Sequence, residues 1–174
     1  MHRAALLILL MATSSTALAN KPVSELDLKR YTGTWHEIAH LPMYFQRKCI
    51  DNITATYTAR KGDSIEVRNA CRTADGEMIE SIGEARKVDG HPGQLKVRFA
   101  PGWLSWLPMV WADYWVIELD KDYGWAVVGG PGQEYLWILS RTPTMDKELF
   151  DRIKATAGSR GYPVANLVMA APLR

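Results

Sequence analysis

The sequence predicts an all-β chain, an eight-stranded up-and-down antiparallel barrel with one C-terminal α-helix packed outside it. Three observations predict it. Short segments alternate apolar and polar residues with the two-residue period of a half-buried strand, separated by turns containing Gly, Asp and Pro. The segments follow one another closely enough to pair as neighbours, and closing such a sheet removes its exposed edges. One late stretch switches to a helical period.

In order along the chain, residues 1–19 are predicted to be a secretory signal peptide. Met1-His2-Arg3 is basic, residues 4–12 are an uninterrupted apolar run, and Ala17-Leu18-Ala19 has the small-x-small form of a cleavage site. The run is too short to span a bilayer. No cysteine stands at the cleavage point, so the expectation is an exported, soluble, periplasmic or secreted protein without a lipoprotein anchor. Residues 20–174, about 155 in number, suit one domain.

The first strand lies between Gly33 and Pro42 and reads GTWHEIAH. Ile53, Ala55 and Tyr57 then alternate with threonines, Lys61-Gly62-Asp63 turns, and Ile65 and Val67 alternate with Glu66 and Arg68, which makes a hairpin. After Ala74-Asp75-Gly76 come a long strand over residues 78–88, a turn over 89–93, and a strand with Leu95, Val97 and Phe99 on one face. A Pro- and Trp-rich loop leads to a strand over residues 111–119. Strands over 125–129 and 135–141 complete the set of eight. The helix starts at a Thr144 cap, shows Met145, Leu149, Ile153 and Ala157 on one face with Phe150 beside it, and ends at Gly158 or Gly161. Residues 164–169 form a candidate last strand.

Composition excludes some functions. Lys and Arg number 21 against 19 Asp and Glu, and loss of Arg3 with the leader leaves a net charge of about +1, which argues against a nucleic-acid partner. Seven tryptophans point to an interior with much apolar lining. Cys49 and Cys71 are expected to form a disulfide in an exported chain, closing a loop of about 22 residues and stabilising it by roughly 3 kcal/mol.

Residues 36–40 spell H-E-x-x-H, the spacing of a zinc protease helix. The segment has strand length, and as a strand it places Trp35, Glu37 and Ala39 on one face and His36, Ile38 and His40 on the other. The two histidines then stand roughly 13 Å apart, too far to share a zinc ion. No metal or other cofactor is expected, and both histidines are expected on the solvent side.

Gly33-Thr34-Trp35 opening the first strand, Asp113-Tyr114-Trp115-Val116-Ile117 in the sixth, and Arg141 after YLWILS together resemble the three signature blocks of the lipocalins. GTWHEIAHLP with YLWILSRTP is similar to the bacterial lipocalin group related to apolipoprotein D, and the resemblance covers roughly residues 28–170. It implies that Gly33 and Trp35 close the barrel bottom and that Arg141 packs across Trp35. It also implies a lipophilic ligand, such as a fatty acid or lysophospholipid. Bacterial members of the group are often outer-membrane lipoproteins, from which this chain departs by lacking the anchoring cysteine.

With Arg141 inward at the base, parity turns Leu139, Trp137 and Tyr135 inward above it. The remaining candidate ligand contacts are Trp111 and Trp115 in the sixth strand, Leu95, Val97 and Phe99 in the fifth, and Glu37 in the first. The loop over residues 103–111 is apolar enough to need a role: ligand entrance, transient membrane contact, or homodimer interface. The expected function is non-enzymatic binding, storage or transport of a lipophilic molecule, linked to cell-envelope lipid maintenance. The alternatives are a lipid-modifying enzyme built on the same barrel, with Glu37 as its candidate acid, and a haem or pigment binder.

Overall fold

The computed structural model describes residues 18–62 and 64–174. The expected leader therefore lies outside the described residues except for Leu18 and Ala19. A one-turn helix, α1 (Leu28–Tyr31), is capped by the Asp27 side chain and precedes the first strand. The strands are β1 (Gly33–His40), β2 (Cys49–Ala59), β3 (Ser64–Thr73), β4 (Met78–Val88), β5 (His91–Arg98), β6 (Ala112–Leu119), β7 (Trp125–Gly129) and β8 (Trp137–Ser140). Each pairs antiparallel with the next, and β1 pairs with both β8 and β2, so the sheet closes into an eight-stranded barrel. A ninth short strand, β9 (Val168–Met169), adds to the β1 edge. The disulfide Cys49–Cys71 joins β2 to β3 with Cα atoms 5.5 Å apart.

Two apolar cores divide the molecule. The first fills the barrel interior with Tyr31, Trp35, Tyr57, Ile65, Val67, Leu95, Tyr114, Val116, Val128 and Leu139. The second lies between the outside of the barrel and helix α2 (Lys147–Ser159), and includes Ile38, Ile117, Val127, Ile138, Phe150, Ile153 and Ala157. The predicted helical face is thus the buried one. The start differs by two residues: Asp146, not Thr144, is the cap, accepting from the Leu149 amide at 3.0 Å, because a carboxylate at that position serves both the free amide and the helix dipole.

The strands covered by α2 are apolar on both faces, and in β1 and β6 the inward residues differ from those expected. In β6 the interior residues are Tyr114 and Val116, while Trp115 packs into the outer core. In β1 the pairing with β8 shifts between Glu37 and Ala39, a β-bulge of one extra residue. Ile38 and Ala39 both face the outer core, and His40 comes to lie opposite the interior residue Trp137. The expectation that His40 faces solvent is therefore overturned: it is 8% exposed, and only His36 keeps to the outer face.

Candidate functional site

The closed end is built around Trp35, whose indole donates to the Tyr31 carbonyl at 2.9 Å. The Arg141 guanidinium lies over the ring, 3.8 Å from its centroid. It also donates to the carbonyls of Arg30 at 2.7 Å, Thr32 at 2.9 Å and Thr34 at 3.0 Å, which ties α1 and the start of β1 to the end of β8. Gly33 has φ +94°, and a Cβ there would come within 3.2 Å of the guanidinium, so both its backbone and its neighbour call for glycine.

Above this floor three phenols meet. Tyr114 Oη lies 2.9 Å from Tyr31 Oη and 2.7 Å from Tyr57 Oη. Burial pushes the Tyr57 hydroxyl up to about 12 and holds Tyr31 and Tyr114 well above the ordinary phenol range. The hydroxyls satisfy one another as neutral groups in a place where water is scarce. Composition and periodicity carry no sign of this triad, because its members come from three distant segments.

Nearer the mouth lies a second polar group. Glu37 accepts from His40 Nδ1 at 2.5 Å and from the Gln46 amide at 2.8 and 2.7 Å. Gln46 Oε1 in turn accepts from the Trp137 indole at 3.2 Å. Glu37 is 5% exposed, so its carboxyl oxygens are met by these side chains rather than by water. H-E-x-x-H thus makes a hydrogen-bonded pair inside a barrel instead of a zinc site. Among the described residues no cluster of His, Cys, Asp and Glu is arranged to hold a metal ion.

The other candidate contacts divide. Leu95 and Leu139 are buried in the interior core, Val97 and Trp137 pack against it half-buried, and Tyr135 stands at the rim with its ring 6.1 Å from that of Trp137. Phe99 is also at the rim, lining a groove of about 330 Å³ where β4 runs on past the end of β5. Its ring occupies the space above Gly83, where a Cβ would come within 2.7 Å. The two candidates from the sixth strand lie elsewhere. Trp115 lies under α2. Trp111 lies outside the barrel between two guanidinium groups, with Arg86 at 4.0 Å and Arg98 at 5.0 Å from its ring centroid, its indole donating to the Ser105 carbonyl at 2.8 Å.

The segment before Trp111 forms two 3₁₀ turns, Gly102–Leu104 and Pro108–Val110. Trp106 and Met109 there are 74% and 84% exposed. Tyr44, Phe45, Ile50, Met78 and Ile82 are further exposed apolar residues, all on segments at the same end of the barrel. No helix among the described residues is long and apolar enough to cross a membrane.

Comparison with known proteins agrees with this architecture. The family model for a lipocalin-like domain matches residues 26–172. The chain is 38% identical to temperature-induced lipocalin-1 of Arabidopsis thaliana, over 83% of this chain and 78% of that protein. It is 37% identical to the outer membrane lipoprotein Blc of Vibrio cholerae, over 85% of this chain and 84% of that protein. Among solved structures, insecticyanin from the tobacco hornworm Manduca sexta superposes with a TM-score of 0.70 at 21% identity, covering 90% of this chain and 86% of that one.

Proposed function

We propose, from the premise that this chain belongs to the lipocalin family and binds a lipophilic small molecule, that the ligand is a fatty acid or lysophospholipid handled in the cell envelope. The observation that carries this reading is the division of the barrel. An apolar interior is closed below by Trp35 and Arg141, and it ends above in a polar group, Glu37 with His40 and Gln46, beside a rim of exposed aromatic residues. An acyl chain in the interior with its head group at the mouth satisfies both halves. Burial of a sixteen-carbon chain at ~0.8 kcal/mol per CH₂ supplies ample gross energy before ordering costs.

Family membership supports binding rather than turnover, and the enzyme alternative has a direct test. Hydrolysis of lipid esters by the wild type, abolished by Glu37→Gln, would overturn the carrier reading.

The name of the Vibrio relative supports export and an envelope location. It gives no support to the expected absence of an anchor, so the unanchored form is not part of the proposal. The exposed Trp106 and Met109 support the loop over residues 103–111 as the entrance, touching a membrane while lipid is loaded. Loss of vesicle co-sedimentation in Trp106→Ser/Met109→Ser is expected. A dimer lost in the same variant would assign the surface to a second copy instead.

Native mass spectrometry of the purified protein, followed by solvent extraction, tests the main proposal. A bound fatty acid or lysophospholipid is expected. A ligand-free mass that also resists loading with either would overturn it.

A further inference from the structure

The phenol triad meets every oxygen but does not balance its hydrogens. Three hydroxyls carry three hydrogens, and two oxygen–oxygen contacts join them, Tyr31 to Tyr114 at 2.9 Å and Tyr57 to Tyr114 at 2.7 Å. Each contact uses one hydrogen whichever oxygen donates, so one O–H is left over in every arrangement of the three rotors. If Tyr114 accepts twice, the spare hydrogen is its own. If it donates to one neighbour, that neighbour holds the spare. Among the described residues no other side chain or carbonyl accepts from any of the three. Burial keeps all three phenols neutral, so the third hydrogen is present at every pH below the alkaline range.

This spare donor lies deep in an apolar interior. Tyr31, Tyr57 and Tyr114 pack with Ile65, Val67, Leu95, Val116 and Leu139, none of which offers a side-chain acceptor. Glu37, the buried carboxylate nearer the mouth, has its oxygens met by His40 and Gln46 instead. A buried O–H with no acceptor is an unfavourable arrangement that a bound oxygen relieves. The Tyr31 ring lies 5.0 Å from that of Trp35, which places the triad close to the floor. From His40 at the mouth down to Trp35 the tilted strand descends about 12 Å, a depth that an extended acyl chain spans in roughly ten carbons.

We propose that the phenol triad is a donor subsite for an oxygen carried in the middle of the ligand's acyl chain, so that the barrel selects chains bearing a carbonyl or hydroxyl near the tenth carbon. The inference rests on the carrier reading above and narrows its ligand at the end remote from the head group. A ketone fits most simply, because it accepts the spare hydrogen and brings none of its own. A hydroxyl also fits, since the phenol oxygens keep unused lone pairs. Elsewhere along the apolar wall the same chain oxygen loses its water and gains nothing.

The test titrates the delipidated protein calorimetrically with stearate and with its 5-, 10- and 15-oxo derivatives, below their critical micelle concentrations. The three oxo acids are isomers and shed the same hydration, so their order reads the position of the donor alone. The expected result is that 10-oxostearate binds roughly tenfold or more tightly than its two isomers, the discrimination typical of one buried acceptor met or left unmet. Its bound ketone stretch should also fall to lower frequency than theirs. The variant Tyr31→Phe/Tyr57→Phe/Tyr114→Phe removes all three hydroxyls and strands none, and it is expected to shrink the ratio toward one. Equal affinities for the three isomers, as a resident water molecule on the spare hydrogen would give, overturn the subsite while stearate binding leaves the carrier reading intact. A preference that survives the triple variant overturns the role given to the phenols. Failure of all four acids to bind overturns the fatty-acid reading and the subsite with it. The isomer series needs no variant, so it decides the proposal even where the triple variant does not fold.

Discussion

Tyr114→Phe removes one oxygen from the barrel and keeps the ring, yet it should cost more than the same change at either neighbour. Tyr114 is the hub of the phenol triad. Among the described residues, Tyr31 Oη and Tyr57 Oη have hydrogen-bond partners only in Tyr114 Oη, at 2.9 and 2.7 Å, and these two residues are 1% and 4% exposed. Without that oxygen both remaining hydroxyls are stranded, at about 1–3 kcal/mol each, or roughly 2–6 kcal/mol together. Tyr57→Phe leaves Tyr114 bonded to Tyr31 and strands nothing, so its cost should be about 1 kcal/mol. Urea unfolding with the disulfide intact reads the difference. With an m-value of about 2 kcal/mol/M, the Tyr114→Phe midpoint should fall below that of Tyr57→Phe by roughly 1 M. Equal midpoints would refute the reasoning, because they would mean that water replaces the missing oxygen and that the barrel is wet at this depth.

The same triad sets an alkaline limit. The folded chain keeps its buried phenol protons past pH 10, where the unfolded chain releases them. Stability is therefore fully present below about pH 10 and falls as pH rises, by up to roughly 3 kcal/mol from Tyr57 alone near pH 12, which unfolding midpoints measured across that range will show. Replacing Cys49 and Cys71 together by serine should cost roughly 3 kcal/mol in denaturant unfolding, since the loop they close spans 22 residues. Arg141→Lys keeps a positive charge but loses the planar stack on Trp35 and the fork that reaches five carbonyls, so a loss of about 2 kcal/mol is expected in thermal unfolding. Trp115→Ala should lower stability by about 3 kcal/mol with little change in lipid affinity, whereas Trp137→Ala should weaken lipid binding first, an opposition that paired melting and titration experiments can read.

How far the sequence could be read depended on what covers each strand. From β2 to β5 one face meets water, so Ile65 and Val67 alternate with Glu66 and Arg68, and Leu95 and Val97 with Lys96 and Arg98. Parity there could be read directly from the residues. Strands β1, β6, β7 and β8 lie between the barrel interior and α2, and both of their faces are apolar. In Tyr114-Trp115-Val116-Ile117 nothing in composition says which aromatic ring enters the barrel, and the choice of Trp115 over Tyr114 had no physical discriminator. The bulge in β1 is subtler, since it reverses parity in the middle of an otherwise regular strand. Its trace is the adjacent apolar pair Ile38-Ala39, both of which must meet the outer core. Without the extra residue His40 would point away from Glu37. The bulge therefore assembles Glu37, His40 and Gln46 at the mouth, and the signature blocks that identify the family contain no information about it.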